Sequence, residues 1–247
     1  MTLTEFFHEN PKAAIAFSGG VDSAYLLYAA LQSGADVRAY YVKSAFQPQF
    51  ELDDARRLAE TLSADMRVLD VDILADETVA VNPPDRCYHC KRRIFSAIAS
   101  AAAADGYTLL LDGTNASDDA GDRPGMRALR ELSVRSPLRE CGLTKPEIRR
   151  LSREAGLFTW DKPAYACLAT RVPAGERLTA EKLENTERAE DFLFSLGFTD
   201  FRVRLFSGAA RLQLPAEQLP RLLERRAEIL SELKKTYSAV VLDLEVR

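Results

Sequence analysis

The sequence predicts an α/β fold, a parallel sheet with helices on both faces, joined to a small α+β C-terminal domain. Three observations lead there. Short β-rich runs alternate with helical stretches through the first two-thirds of the chain. That alternation stops near residue 165, in the irregular Pro- and Gly-bearing stretch WDKPAYACLATRVPAGERL. The remainder reads helix, two strands, helix and strand, which describes a second core and not more of the first.

The elements follow in order. AAIAF (13–17) reads as a buried strand and 22–33 as the helix after it. VRAYYV (37–42) is a second strand. The helix at 48–63 has Leu52, Ala55, Leu58, Ala59 and Leu62 on one face. MRVLDVDI (66–73) is a third strand, the alanine-rich 90–104 a helix, and YTLLLDG (107–113) a fourth strand. A helix at 144–155 opens on Thr144 as N-cap with Glu147 three residues on, and Gly156 ends it. Beyond the connector come a helix (179–196), the strands FRVRLF and ARLQLP, a helix (216–235) and a last strand, AVVLDLEV. Two domains are expected, 1–165 and 166–247.

Of 247 residues, 47% are apolar and 28% charged, enough for a packed core without disorder. The net charge of −4 does not draw the chain toward nucleic acid. Arg149, Arg150 and Arg153, like Arg221, Arg225 and Arg226, read as solvated helix faces. The apolar runs at 24–31 and 94–104 are too short to span a membrane. The N-terminus lacks the basic-then-apolar pattern of a signal peptide. Together these point to a cytoplasmic protein. Its four cysteines are then reduced thiols, suited to metal or sulfur chemistry before disulfides.

The strongest motif is SGGVDS, Ser18 to Ser23, where the first strand gives way to the first helix. Gly19 and Gly20 let the backbone turn and approach a ligand closely. Ser18, Ser23 and the N–H groups of the helix start surround an anion, aided by the helix dipole. A P-loop kinase motif would place Lys after the second glycine, and none is present. Asp22 suggests instead a carboxylate that holds Mg²⁺. The loop resembles the PP-loop of the N-type ATP pyrophosphatases, which have a Rossmann-like sheet and split ATP to AMP and pyrophosphate while adenylating a substrate.

Cys87 and Cys90 form CYHC at the start of a helix, beside Arg86 and Lys91, where a thiolate is favoured. Cys167 lies in KPAYACLATR, and Cys141 has no partner by spacing. A lone CxxC can be redox-active, half of a zinc site, or incidental. His89 reads as a helix-surface residue. By position, Asp112, Gly113, Thr114 and Asn115 end the fourth strand where a nucleotide lies. Arg171, four residues past Cys167, and Arg123 are placed to meet phosphate. Trp160 and Tyr165 can stack on a ring or pack in the core.

Several segments together resemble the LarE-type sulfurtransferases of nickel-pincer nucleotide synthesis: SGGVDS, PDRCYHCK, LLDGTNASDD with GDRPGMRAL, SPL…TKPEIRRLSREAGL, DKPAYACLATRVP, and FRVRLF…ARLQLP. The resemblance implies a PP-loop domain and a small C-terminal domain in a homo-oligomer, a hexamer in the family. It implies ATP and Mg²⁺ as cofactors and pyridinium-3,5-biscarboxylic acid mononucleotide as substrate. Each carboxylate is adenylated and an oxygen replaced by sulfur, from a donor that the sequence does not identify. The sulfur-bearing cysteine falls on Cys167. Members with that cysteine alone sacrifice its sulfur. Members with a CxxC as well are thought to hold a [4Fe-4S] cluster, so the resemblance here implies Cys87, Cys90 and Cys167 as its ligands. Glu190, Arg202 and Arg204 resemble residues that bind a metal or the substrate phosphate. The alternatives are a PP-loop tRNA thiolation enzyme, an amide-forming ligase, and a protein holding a metal for structure alone.

Overall fold

In the first strand Ala13 and Ile15 point to one face and Ala14 to the other, all fully buried. Side chains of a strand alternate faces, so a strand apolar on both must be covered on both. The computed structural model, which describes residues 1–118 and 124–245, shows that arrangement. The chain divides into two units, Met1–Ile73 with Asp85–Ala164, and Leu74–Pro84 with Tyr165–Arg247. The expected boundary leaves Leu74–Pro84 in the first domain; its packing groups it with the second unit.

The chain begins α1 (Leu3–Glu9), β1 (Lys12–Ala16), α2 (Val21–Gln32), β2 (Asp36–Lys43), α3 (Gln49–Thr61) and β3 (Met66–Asp70). After α4 (Glu77–Ala80), part of the second unit, come α5 (Arg86–Ala104), β4 (Leu110–Leu111), α6 (Pro124–Glu131), α7 (Pro137–Glu140) and α8 (Lys145–Glu154). The strands lie in the order β3-β2-β1-β4, every pair parallel. On one face Ala13 and Ile15 pack with Phe6, Leu26, Leu27, Leu58 and Ile148 of the α1, α2, α3 and α8 layer. On the other, Ala14, Tyr40 and Val42 meet Phe95, Ile98 and Ala102 of α5 and Leu129 of α6. Alanines in β1 let both helix layers close on the sheet.

Some elements differ from expectation. The fourth strand keeps only Leu110–Leu111, because Tyr107 turns to donate to Asp36 Oδ1 at 2.9 Å and Asp112 N bonds Arg135 O at 2.9 Å. Helix α5 starts four residues early, which puts both Cys87 and Cys90 in its opening turns. Thr144 caps α8 in a reciprocal box with Glu147, as the sequence indicated. No helix among the described residues is long and apolar enough to cross a membrane.

The second unit holds a 3₁₀ turn (Leu168–Arg171), α9 (Ala180–Ser195), β5 (Arg202–Phe206), β6 (Ala209–Gln213), α10 (Leu219–Glu224), α11 (Arg226–Leu233) and β7 (Val240–Leu242). Strands β5 and β6 form a hairpin through Ser207 and Gly208, both at positive φ, the turn that matches strand twist. β7 adds parallel to β6. The single helix expected at 216–235 is broken at Arg225, which ends α10 and precedes α11. Ala189, Leu193, Phe198, Phe201, Val203, Leu212, Ile229 and Leu233 form its core.

Leu74–Pro84 is tied in by Asn82, which is buried and left-handed at φ 56°. Its Nδ2 donates to Pro173 O at 2.8 Å and Glu176 O at 3.2 Å, while its own carbonyl accepts from Gly175 N at 2.7 Å. Asn82→Ala is expected to destabilise the protein by about 2–3 kcal/mol, since buried carbonyls lose their donor. Urea unfolding measures it; a loss below about 0.5 kcal/mol, within the range of a surface change, would remove the clamp from the account.

Candidate active site

The order β3-β2-β1-β4 makes a switch point. Successive strands step away from β1 on one side, and the chain then crosses back to lay β4 on the other. Ligands of open α/β sheets bind in the crevice that such a reversal opens at the carboxyl ends. SGGVDS follows β1 and Asp112–Asn115 follows β4, so the topology brings both predicted loops to this place.

Within the glycine loop the two serines close the turn. Ser18 and Ser23 hydroxyls are 3.1 Å apart, Ser18 N donates to Ser23 Oγ at 3.2 Å, and Gly20 N donates to Ser18 Oγ at 3.3 Å. Gly20 is the N-cap of α2, and no side chain caps that helix start. The positive end of a twelve-residue helix therefore faces the loop without a side-chain cap, and Asp22 is the acidic side chain of its first turn. Gly19 has φ 71°, and a Cβ there would meet Ala55 Cβ of α3 at 3.0 Å. Gly113 is placed by contact: a Cβ would stand 2.9 Å from Ser23 N. Its role in the structure is this close approach, which seats the β4 loop against the first turn of α2.

The buried Asp112 accepts from Ser136 Oγ at 2.6 Å and from Thr114 N at 3.3 Å, so it shapes the loop. Asn115, also buried, accepts from Ser117 N at 2.8 Å and donates to Asp22 Oδ1 at 3.3 Å, bridging the two loops. Asp22 Oδ2 meets Lys145 Nζ at 2.6 Å. Sequence reasoning missed Lys145 and Ser136. Both lie inside the quoted SPL…TKPEIRR segment, where Lys145 directly follows the capping Thr144. Arg123 lies outside the described residues.

Cys87 is exposed and Cys90 half-buried, one turn apart on α5. Arg86 runs inward instead of lying on the surface; its Nη2 is 3.8 Å from Cys87 Sγ, and its guanidinium is 6.0 Å from the Phe46 ring. His89 Nε2 is 3.4 Å from Asp85 Oδ2, one turn back. Cys141 packs at the edge of the first core, where burial pushes its thiol up, as suits a packing residue.

In the second unit Cys167 is half-buried at the head of the 3₁₀ turn. The expectation of Arg171 as a phosphate contact meets a different arrangement. Arg171 is 1% exposed, and its Nε and Nη2 donate to Glu190 Oε1 and Oε2 at 2.9 and 3.1 Å. Desolvation works against its charge, but Glu190 outweighs this and holds the guanidinium above its ordinary range. Glu190 was expected near a metal or phosphate. Here both its oxygens accept from protein, Oε1 also from Val203 N at 2.9 Å and Oε2 also from Tyr165 O–H. The Tyr165 ring has the Arg171 guanidinium 4.5 Å and the Arg202 guanidinium 4.9 Å from its centroid. The buried Arg202 donates to Phe201 O at 2.6 Å, and Arg204 to Gln213 Oε1 at 2.5 Å and Thr170 O at 2.6 Å. Within either unit, among the described residues, no three His, Cys, Asp or Glu side chains gather to hold a metal.

The family model for the queuosine biosynthesis protein QueC matches residues 12–81, which include β1, the glycine loop and α2. An uncharacterized protein of Synechocystis sp. (strain PCC 6803) is 38% identical over 98% of this chain and 92% of its own length. The pyridinium-3,5-bisthiocarboxylic acid mononucleotide synthase of Lactiplantibacillus plantarum is 36% identical over 88% of this chain and 80% of its own. The chain belongs to the LarE-type sulfurtransferase family. As a LarE-type protein it is an ATP-dependent sulfurtransferase. The tRNA-specific 2-thiouridylase of Thermotoga sp. is a more distant relative, 26% identical over 61% of this chain and 54% of its own length.

Proposed function

We propose that this enzyme converts the carboxylates of pyridinium-3,5-biscarboxylic acid mononucleotide to thiocarboxylates. The observation that carries the reading is the similarity, along most of both chains, to the synthase that bears the product's name.

The residues supply the parts of such a reaction. Ser18, Gly19, Gly20 and Ser23, with the uncapped start of α2, cradle the ATP phosphates. Asp22 offers the hard oxygen that Mg²⁺ prefers, at 23% side-chain exposure and within the same loop. Lys145, now against Asp22, is the cation within reach of that cradle. The substrate carboxylate attacks the α-phosphorus of ATP, pyrophosphate leaves, and an acyl adenylate forms. Sulfur then attacks the acyl carbon and AMP leaves. Arg202 and Arg204, expected at the substrate phosphate, stand on β5 beside the turn that carries Cys167.

The thiol set fits a cluster in its chemistry: Cys87 is exposed, Cys90 and Cys167 are half-buried, and none is in a disulfide. Bound there, a [4Fe-4S] cluster on three thiolates would supply a sulfide at its open iron. The enzyme works in the cytoplasm, as a homo-oligomer, with domains near 1–165 and 166–247 apart from Leu74–Pro84, which groups with the second, and takes its sulfur from a separate donor.

The test is anaerobic turnover with ATP, Mg²⁺ and the biscarboxylate nucleotide. AMP, pyrophosphate and a product with oxygen replaced by sulfur are expected. AMP release without a sulfur-containing product from reconstituted enzyme would end the reading. Lys145→Met is expected to raise the KM for ATP about tenfold, equivalent to about 1.4 kcal/mol, with melting unchanged. An unaltered KM would leave Lys145 as a partner of Asp22 only.

A further inference from the structure

A buried ion pair is expensive to desolvate and is weak evidence for stability, because apolar side chains of similar volume serve a core as well. The pair Arg171–Glu190 is among the most buried charge in the second unit, at 0% and 2% side-chain exposure. What it holds is therefore informative. Glu190 fixes the guanidinium by two bonds, and is itself fixed by Val203 N of β5 and by Tyr165 O–H. The third nitrogen of Arg171, Nη1, turns the other way. It donates to Ala166 O at 2.7 Å, Thr170 Oγ1 at 2.9 Å and Cys167 O at 3.4 Å.

These contacts converge on one short segment. The Cys167 carbonyl also accepts from Thr170 N at 2.9 Å and Thr170 Oγ1 at 2.8 Å. At the far end of the turn, Thr170 O accepts from Arg204 Nη1 at 2.6 Å. Apart from the Thr170 hydroxyl, each of these acceptors is a main-chain oxygen of residues 166–170, on either side of the Cys167 sulfur or of the cysteine itself. The cation of the pair thus runs from a helix, α9, to the backbone that sets where that sulfur points.

We propose that Arg171 and Glu190 are positioning residues for Cys167: a buried clamp that locks the main chain of residues 166–170 and so aims the sulfur. Arg171 acts through Cys167 and does not bind the substrate phosphate. The inference rests on the sulfur-transfer reading for its kinetic consequence, but the clamp itself can be observed without turnover. A guanidinium can bridge a carboxylate and carbonyls on its opposite edge, whereas an ammonium is a point donor that cannot span both. Arg171→Lys therefore keeps the charge and breaks the bridge.

The test compares wild-type protein with Arg171→Lys and Thr170→Val by three readouts. The first is amide hydrogen exchange of the peptide covering 165–172, in protein without ATP or substrate. It is expected to accelerate at least tenfold in Arg171→Lys, while α9 and β6 exchange as in wild type. The second is ATP–pyrophosphate exchange with the biscarboxylate nucleotide, which reports adenylation without sulfur and is expected within twofold of wild type. The third is thiocarboxylate formation, where kcat is expected to fall about 10²-fold, the scale of an ångström's misplacement, with KM for the nucleotide within threefold. Unchanged exchange at 165–172, or a raised KM with kcat preserved, would overturn the clamp. If Arg171→Lys loses its melting transition, Thr170→Val removes the 2.8 Å bond to the Cys167 carbonyl and the 2.9 Å bond from Arg171 Nη1, and leaves the ion pair in place. A three- to tenfold lower kcat at constant KM is then expected, and wild-type kcat overturns the proposal. Wild-type protein inactive with this nucleotide would count against the substrate, while the hydrogen-exchange arm would still decide the clamp.

Discussion

Cys167→Ser is expected to lower thiocarboxylate formation by at least about 10³-fold, or about 4 kcal/mol in activation free energy, while adenylation continues. The substitution is nearly isosteric, and serine suits the position because Cys167 stands at the N-cap of the 3₁₀ turn, where a small polar side chain is favoured. Its carbonyl contacts with Thr170 and Arg171 are main-chain and survive the change. Stability should therefore hold. The lost property is chemical, since a hydroxyl carries no transferable sulfur and is a poorer ligand than thiolate for Fe–S iron. Single-turnover product analysis, beside ATP–pyrophosphate exchange, separates the two half-reactions. Sulfur transfer that persists in Cys167→Ser would remove the residue from the mechanism. The CxxC variants then divide the remaining routes. Cys87→Ser and Cys90→Ser should each abolish multiple turnover if three thiolates hold a cluster, and should leave a first turnover intact if Cys167 gives up its own sulfur.

Much of this was legible in the sequence because it is written locally. SGGVDS needs only six neighbours to specify a turn and a helix start. The unbroken apolar run at 13–17 declared a buried strand, and Ala13, Ala14 and Ile15 are all fully buried. Strand order is not local. Nothing in 107–113 says that β4 returns to the far side of β1, yet that return creates the crevice. Distance along the chain hid Lys145 as well: it pairs with Asp22 across 123 residues, and by its neighbours it is only a lysine after a helix cap. Arg171 shows the opposite failure. An arginine near a reactive cysteine in a glycine- and proline-bearing stretch reads as a phosphate ligand. What changes the reading is burial against Glu190, which no pattern within the connector contains. The same holds for Leu74–Pro84, whose attachment to the second unit depends on carbonyls of residues 172–176 that accept from Asn82.

Gly113→Ala is the second large effect, expected to weaken ATP binding about 10²-fold, or roughly 2.7 kcal/mol. The backbone of Gly113 is outside the left-handed region, so the penalty comes from contact alone. An added Cβ would lie 2.9 Å from Ser23 N, 3.2 Å from Ser23 Cα and 3.3 Å from Asp22 C. All three are main-chain atoms of the first turn of α2 and cannot rotate away. Either the β4 loop lifts or the helix start shifts, at about 1–3 kcal/mol for an overpacked site. The atoms displaced belong to the proposed phosphate cradle, so binding should suffer more than folding does. Gly19→Ala combines two penalties, a left-handed φ of 71° and Ala55 Cβ at 3.0 Å. Gly34 supplies the control. It has nearly the same φ, 74°, but nothing within 4 Å of an added Cβ. Gly34→Ala should therefore cost only about 1–2 kcal/mol of stability, from the backbone conformation, and leave ATP affinity untouched. Calorimetric titration with a non-hydrolysable ATP analogue, beside thermal unfolding of all three variants, resolves the pattern. Wild-type affinity in Gly113→Ala would move the nucleotide away from the junction of β4 and α2. A parallel loss in Gly34→Ala would mean that general loosening of the fold, and not the cradle, governs binding.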